Sequence, residues 1–116
     1  MDTLSVCVTT YNEADNITRC LQSVSWADEI IVVDGMSGDA TPEISRKFTS
    51  NVFIRPNNPN LNINKNFGFS KASGEWILCL DADESVPPEL KAAIIKILKA
   101  GTGLDGFLLP RKNYYF

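Results

Sequence analysis

Two aspartates separated by one residue, Asp81 and Asp83, form the sharpest chemical motif of the sequence. Alternate residues of an extended segment point to the same side, so both carboxylates can face one ligand. Like charges this close disfavour each other, and a cation relieves the repulsion. Carboxylate oxygens are hard ligands that suit Mg²⁺ or Mn²⁺. The motif therefore predicts a divalent cation held by Asp83 and Asp81, and the alternative is a surface turn with solvated acids.

Two other polar clusters also follow apolar runs of the strand type. The first cluster, TYNE, spans residues 10–13, and the second, DGMSGD, spans residues 34–39. In an open parallel α/β sheet, ligands bind outside the carboxyl ends of the strands, where the strand order reverses. We therefore expect the three clusters to meet at one edge of the sheet and to form one site.

Single residues of these clusters have both a functional and a structural interpretation. Asp34 can accept a hydrogen bond from a nucleobase or a ribose hydroxyl, or it can close the turn that follows it. Tyr11 can stack on a base and Glu13 can reach a ribose hydroxyl, whereas Asn12 and Glu13 can equally cap the next helix. Lys65 can approach a phosphate, or it can be a solvated lysine of a helix.

Composition excludes several classes of protein. The chain has 116 residues, 44% of them hydrophobic and 22% charged, which is typical of one globular domain over residues 1–116. The net charge of -3 argues against nucleic-acid binding, and the absence of histidine leaves acid–base chemistry to carboxylates, Lys, Tyr or Cys. Three widely spaced cysteines favour a reduced, cytosolic compartment. We expect neither a signal peptide nor a membrane-spanning segment.

Hydrophobic periodicity alternates between strand and helix patterns along the chain. This alternation predicts an α/β fold with a mostly parallel sheet flanked by helices. The Asn-rich stretch 57–66 is the nearest feature to a low-complexity segment, and its structural interpretation is a solvated loop that leads into a helix cap. Three consecutive aromatics at 114–116 favour a piece of a longer protein. Strands are predicted at 4–10, 29–34, 52–54, 75–81 and 105–110, and helices at 14–24, from Thr41 as N-cap, at 62–72, and from Pro87-Pro88 to Gly101.

Three stretches together resemble the family 2 glycosyltransferases of the GT-A fold. They are LSVCVTTYNEADNI at 4–17, IIVVDGMSGDAT at 30–41 and NKNFGFSKASGEWILCLDADESVPPEL at 64–90. The resemblance implies a Rossmann-like GT-A nucleotide-diphospho-sugar transferase sandwich, and it implies that this chain is the N-terminal part of a longer enzyme. The stretch GFLLPRKNYYF at 106–116 is similar to the subgroup that adds sugars to lipopolysaccharide core or related cell-surface glycans.

The resemblance also implies roles for individual residues. Asp34 would bind the base, Lys65 would approach the diphosphate, and Asp83 would be the principal metal ligand, with Asp81 near the ribose or the metal. The implied nucleotide-sugar-binding residues are Thr10, Tyr11, Glu13, Asp34, Asp39, Lys65, Asp81 and Ala82, and the implied metal ligands are Asp83 and Asp81.

The implied activity is inverting, metal-dependent transfer of a sugar from a UDP-sugar to a glycan or lipid-linked acceptor. The location would be the cytoplasm, at the inner face of the membrane if the parent enzyme associates peripherally with it. An inverting reaction needs a carboxylate base, and none of Glu84, Glu89 and Asp105 matches the family's base. A nucleotide-sugar-binding fragment without turnover therefore stays open, as do a sugar-nucleotide nucleotidyltransferase and a receiver-like binding module. The oligomeric state is left undecided.

Overall fold

The computed structural model describes residues 1–100 and 106–108, and its centre is one five-stranded parallel sheet. The strand order is β3-β2-β1-β4-β5, and every neighbouring pair is parallel. This confirms the predicted α/β class. The strands are β1 (Leu4–Thr10), β2 (Glu29–Asp34), β3 (Val52–Ile54), β4 (Trp76–Asp81) and β5 (Gly106–Leu108).

Strand β1 lies at the centre of the sheet, between β2 and β4. The chain runs outward from β1 to β2 and β3, and then returns to pair β4 with the free side of β1. The order therefore reverses between β1 and β4, which is where parallel α/β sheets bind their ligands. Thr9 of β1 is in register with Asp81 of β4, so the polar residues after both strands emerge side by side.

Helices cover both faces of the sheet, which explains why β1 and β2 are apolar at consecutive positions. On one face, β1 contributes Val6 and Val8 to the main core, together with Leu21 of α1 and Ile94 of α4. On the other face, Cys7 belongs to a smaller cluster into which the aromatic rings of α3 pack. The helices are α1 (Ile17–Gln22), α2 (Thr41–Ser45), α3 (Leu61–Lys71) and α4 (Pro88–Ala100).

Two helix starts differ from the sequence predictions. Residues 14–16 form a turn ahead of α1, in which the Glu13 carbonyl accepts from the N–H groups of Asn16 and Ile17. The prediction of Thr41 as N-cap was wrong: Ala40 is the N-cap of α2 and Thr41 is its first helical residue. The reason is that the Asp39 carboxylate accepts the Thr41 N–H at 3.0 Å and so supplies the cap from outside the helix.

The other predicted bounds hold to within about two residues, which is the usual spread of helix and strand ends. Asn60 is the N-cap of α3, and its side chain accepts the N–H of Asn62 at 3.1 Å. Within the fifth predicted strand, the structure shows Gly106–Leu108 as β5. The predicted helix end at Gly101, the rest of that strand and the aromatic residues 114–116 lie outside the described residues.

Candidate functional site

A cleft of about 310 Å³ opens at the carboxyl edge of the sheet, where β1 and β4 end. It lies at the reversal of strand order, so its place follows from the topology. The structure brings most of the predicted site residues together here, but Asp34 and Asp39 do not line the cleft. The predicted residues on its wall are Thr10, Tyr11, Glu13, Lys65, Asp81, Ala82 and Asp83.

Asp81 ends β4, whereas Ala82 and Asp83 lie in a turn, so the prediction of an extended segment through Asp83 was wrong. The Glu84 N–H donates to the Asp81 carbonyl and bends the chain there. The side chains of both aspartates are exposed, whereas Ala82 between them is 1% exposed and belongs to the core. Ala82 is buried in the core, and the turn leaves the carboxylates on either side of it on the solvent side. The pair thus presents hard oxygen ligands to the cleft.

Lys65 supplies a positive charge on the opposite wall of the cleft. Its Nζ lies 3.8 Å from Asp81 Oδ1, and both side chains are partly exposed. An ion pair in such a solvated position contributes little stability, so either partner can exchange it for a charged ligand. The cleft therefore offers an ammonium group for an anion and carboxylates for a cation within one small volume.

Glu84 closes the turn that follows Asp81. The Asp81 N–H donates to Glu84 Oε1 at 2.8 Å, and the Glu84 N–H donates to the Asp81 carbonyl at 2.9 Å. Partial burial raises the pKa of Glu84, and the charges of Asp81 and Asp83 raise it further. The sequence interpretation rejected Glu84 as a catalytic base and assigned it no other role. The sequence feature that could have indicated this role is an acid three residues after Asp81.

Arg19 of α1 and its C-cap Ser23 contact the segment that follows β4. Arg19 Nη2 donates to the Asp83 carbonyl at 3.4 Å, and the Val86 N–H donates to Ser23 Oγ at 2.9 Å. These contacts join residues more than 60 positions apart in the chain. No local pattern in the sequence predicted them.

Asp34 is fully buried, and its carboxylate is used within the protein. Oδ1 accepts the hydroxyls of Thr10 and Ser37 at 2.6 Å each, and Oδ2 accepts the Ser37 N–H at 2.8 Å. This matches the turn-closing alternative for Asp34. Its contact with a base stays a prediction, and in this arrangement Asp34 orients Thr10, which lines the cleft.

Asp39 ties the loop after β2 to the loop after β1. Its carboxylate accepts N–H groups from Ala14 at 3.1 Å and from Thr41 at 3.0 Å, as well as the Thr41 hydroxyl. The hydrogen bond from the Thr41 hydroxyl is the main reason that the pKa of Asp39 lies below its ordinary value. Thr41 Oγ1 in turn accepts the Glu13 N–H at 2.9 Å, so Asp39 positions Glu13 indirectly.

Asn12 and Met36 give these two loops their sharp bends, since both have a left-handed backbone with φ of 53° and 58°. Asn tolerates that conformation better than most residues. The Asn12 N–H donates to Ser37 Oγ at 2.8 Å, and Asn12 Oδ1 accepts the Gly38 N–H at 2.7 Å. The loop structure leaves the Tyr11 ring half exposed at the cleft.

Three asparagines complete the cleft, and the sequence interpretation left their role undecided. Asn57, Asn58 and Asn64 all line it. Asn57 packs so closely over Gly35 that a Cβ there would lie 3.1 Å from Asn57 Cβ and Oδ1. The Asn64 side chain donates to the Pro56 carbonyl at 3.1 Å and steadies the loop before α3. Only the sheet order shows that this loop reaches the edge where β1 and β4 end.

A larger groove, of about 550 Å³, lies at the opposite edge, where the strands begin. Its carboxylate Glu29 accepts hydrogen bonds from Ser5 and from the Ser73 N–H and hydroxyl. Although partial burial opposes it, this bonding holds the pKa of Glu29 below its usual value. The other acid of the groove, Asp28, accepts the Leu4 N–H at 2.7 Å. Since both acids already bond within the protein, we take the smaller cleft as the candidate site.

Two further properties concern the part of the chain that the structure describes. None of its helices has the length and apolar character needed to cross a bilayer. No three acidic or cysteine side chains converge there as a ready metal-binding set. The Asp81 and Asp83 pair is nevertheless enough for Mg²⁺ or Mn²⁺, which commonly use one or two protein carboxylates with phosphate oxygens and water.

The fold and the cleft define a GT-A glycosyltransferase domain, the class of the solved structures that share this sheet. TarS of Staphylococcus aureus, residues 1–349 in complex with UDP-GlcNAc, superposes with a TM-score of 0.71 at 28% identity, covering 84% of this chain and 31% of that one. Glucosyl-3-phosphoglycerate synthase of Mycobacterium tuberculosis, solved with Mn²⁺, UDP and glucosyl-3-phosphoglycerate, shares the fold with a TM-score of 0.68 at 23% identity, covering 84% of this chain and 40% of that one.

The chain belongs to glycosyltransferase family 2, because the model of that family, described as glycosyl transferase family 2, matches residues 5–113. Among curated relatives, the dolichol-phosphate mannosyltransferase of Pyrococcus furiosus is 34% identical over 112 residues, covering 87% of this chain and 31% of the relative. The chain spans about a third of the length of such glycosyltransferase relatives.

Proposed function

We propose that this chain is the donor-binding part of an inverting, metal-dependent glycosyltransferase of the hexosyltransferase type, which uses a UDP-sugar. The observation that carries the proposal is the cleft between β1 and β4. It sets the exposed carboxylates of Asp81 and Asp83 opposite the ammonium group of Lys65. A nucleoside diphosphate with a divalent cation carries both charges that such walls attract. The UDP-GlcNAc held by TarS supports the same donor class.

In this proposal Asp83 and Asp81 hold Mg²⁺ or Mn²⁺ as an Asp-x-Asp motif. The residues fit the ion, because both carboxylates are exposed, adjacent and hard. The M. tuberculosis fold neighbour was solved in complex with Mn²⁺ and UDP, which agrees with this choice. When bound, the cation would neutralise the negative charge that develops on the leaving diphosphate.

The nucleotide would lie along the loop after β1 and the loop before α3, since both line the cleft. The half-exposed ring of Tyr11 offers a stacking surface for the base, while the backbone at Thr10 and the Glu13 carboxylate face the ribose. Lys65 would bind the diphosphate by charge-assisted hydrogen bonds. Asp34 and Asp39 stabilise the loops after β1 and β2 by the hydrogen bonds described above. Asp34 would bind the base directly only after its hydrogen bonds to Thr10 and Ser37 break.

The general base is expected outside this chain. Among the acids that the structure describes after Asp83, Glu84 faces back into its own turn and Glu89 lies in the first turn of α4. We propose that the 116 residues bind the donor but turn over poorly, and that the base and the acceptor site belong to the remainder of a longer enzyme.

The acceptor would be a glycan or a lipid-linked glycan of the cell envelope, and the enzyme a member of the lipopolysaccharide-core subgroup. The name of the Pyrococcus relative supports a lipid-linked acceptor. The three cysteines, Cys7, Cys20 and Cys79, are free and buried, which agrees with a reducing cytoplasm. A lipid-linked acceptor would bring the parent enzyme to the inner face of the membrane.

Calorimetric titration of UDP into the chain tests the proposal, first with Mn²⁺ and then with EDTA. We expect binding that needs the metal and that falls at least about tenfold in Asp83→Ala, the loss typical of a charged contact. Glu43→Ala removes an exposed acid of α2 away from the cleft, and it should bind as the wild type does. Equal binding in EDTA and Mn²⁺, or equal binding by Asp83→Ala and wild type, would contradict a metal-dependent donor site.

A further inference from the structure

Glu84 forms hydrogen bonds to Asp81 with both its backbone and its side chain. Its N–H donates to the Asp81 carbonyl at 2.9 Å, and its Oε1 accepts the Asp81 N–H at 2.8 Å. The two hydrogen bonds run in opposite directions between the ends of the four-residue turn 81–84. They therefore close the turn as a ring that contains the Asp-x-Asp segment.

The carboxylate of Glu84 has a different setting from its two acidic neighbours. Asp81 and Asp83 are exposed, whereas Glu84 is half-buried and directed back at the backbone of Asp81. Among the residues that the structure describes, no three acids converge as a metal-binding set, and Glu84 Oε1 already accepts the Asp81 N–H. This contact suits a residue that stabilises the turn better than it suits a third metal ligand.

The other contacts of the turn 81–84 show what the hydrogen bonds of Glu84 add to it. On the side that faces the core, Ala82 is buried and the Val86 N–H just after the turn donates to Ser23 Oγ. On the exposed side, Arg19 Nη2 donates to the Asp83 carbonyl at 3.4 Å. Asp81 also pairs with Thr9 of β1, and Cys20 Sγ lies 3.8 Å from its carbonyl oxygen, but its N–H donates to Glu84. Loss of Glu84 would leave the first of the two carboxylates attached to a looser strand end.

We propose that Glu84 is the positioning residue of the Asp81–Asp83 metal motif: it holds the two carboxylates in place for the cation and does not bind the cation itself. This inference rests on the proposed function. Residues that orient metal ligands typically contribute about tenfold to a hundredfold in metal affinity. Glutamine has the same length and a carbonyl oxygen that can accept the Asp81 N–H, but it lacks the charge. Alanine lacks the acceptor altogether.

Two readouts on the folded chain separate the possibilities. The first is hydrogen exchange of the Asp81 amide, measured by NMR without metal. The second is Mn²⁺ affinity, measured by electron paramagnetic resonance in the presence of UDP. We expect Glu84→Gln to keep the amide protected and to bind Mn²⁺ within about threefold of wild type, since its amide oxygen still accepts the Asp81 N–H. Glu84→Ala should exchange Asp81 faster and bind Mn²⁺ at least about tenfold more weakly.

The control is Glu89→Ala, which removes an exposed acid of the first turn of α4 and should match the wild type in both readouts. A loss in Glu84→Gln as large as that in Glu84→Ala would overturn the inference and make Glu84 a ligand. Wild-type Mn²⁺ affinity or unchanged Asp81 exchange in Glu84→Ala would also overturn it. If the wild type binds neither Mn²⁺ nor UDP, the proposed function itself fails, and this result differs from each of the others.

Discussion

The Thr10 hydroxyl donates a 2.6 Å hydrogen bond to the buried carboxylate of Asp34, and this bond joins the carboxyl ends of β1 and β2. Ser37 adds two more donors to the same carboxylate. Asp34 thus keeps the edge of the cleft in shape from a position that no solvent reaches.

Replacing Asp34 with alanine should lower the free energy of unfolding by about 1–3 kcal/mol, because the Thr10 and Ser37 donors lose a buried acceptor. Asp34→Asn keeps one acceptor oxygen and should lose less. Urea unfolding followed by circular dichroism gives the comparison, with the exposed Asp15→Ala as control. An alanine variant as stable as the wild type would show that the three donors find other partners.

Lys65 should matter for the phosphates of the donor and not for its base. We expect Lys65→Ala to weaken UDP binding about tenfold or more, since a hydrogen bond to a charged group contributes about 1.5–3 kcal/mol. Binding of uridine should change little, and Lys65→Arg should recover much of the loss. Calorimetry with both ligands measures this, and Lys96→Ala on the exposed side of α4 is the control. Equal losses for UDP and uridine would contradict a phosphate contact.

Gly35 and Gly38 form a matched pair in the loop after β2. A Cβ at Gly35 would meet Asn57 Cβ and Oδ1 at 3.1 Å, whereas at Gly38 the nearest atom would be Asn12 Oδ1 at 3.9 Å. Gly35→Ala should therefore push the Asn57 loop out of the cleft and weaken UDP binding severalfold, while Gly38→Ala should bind as the wild type does. Calorimetry on both variants decides the matter. Equal affinities would mean that the Asn57 loop gives way without affecting the ligand.

We predict that the free energy of unfolding depends on pH through the carboxylate of Asp39. Its folded pKa lies below the ordinary value of 3.8, mainly because the Thr41 hydroxyl donates to it. The charged form is therefore favoured by folding, and its contribution to stability is present above about pH 4 and lost as the pH falls through the folded pKa. The stability difference between wild type and Asp39→Asn should shrink on acidification from pH 7 to pH 3. Urea midpoints at several pH values test it, with Asp15→Asn as control, and a constant difference would refute the coupling.

The sequence predicted the elements that define the site better than the contacts that hold it. The bounds of β1 and β2 follow from their β-branched and apolar runs. The two acids were correctly placed after β4, but strand geometry did not predict the turn that carries Asp83. Helix α1 is shorter than its periodicity suggested, because the turn at Glu13 precedes it. The N-cap of α2 was misplaced because the capping acceptor is Asp39, outside the helix.

Other features required the three-dimensional structure. Asn57 and Asn58 looked like residues of a solvated loop, and only the position of β3 beyond β2 brings the loop that follows it to the cleft. Arg19 and Ser23 meet the turn after β4 across more than 60 residues, so no local pattern signals them. The buried position of Asp34 depends equally on Thr10 from another strand.

The pairing of β1 with β4 also determines when the site can form during synthesis. Leu4 of β1 pairs with Trp76 of β4, so β1 can form this pairing only after another 72 residues have been synthesised. At ribosomal rates of about 5–20 residues per second, that interval is on the order of several seconds. During it, one side of an apolar strand has no backbone partner, which is the kind of edge that other chains can join. The arrangement that creates the cleft thus leaves the nascent protein with a transient risk of aggregation, which ends when β4 is added.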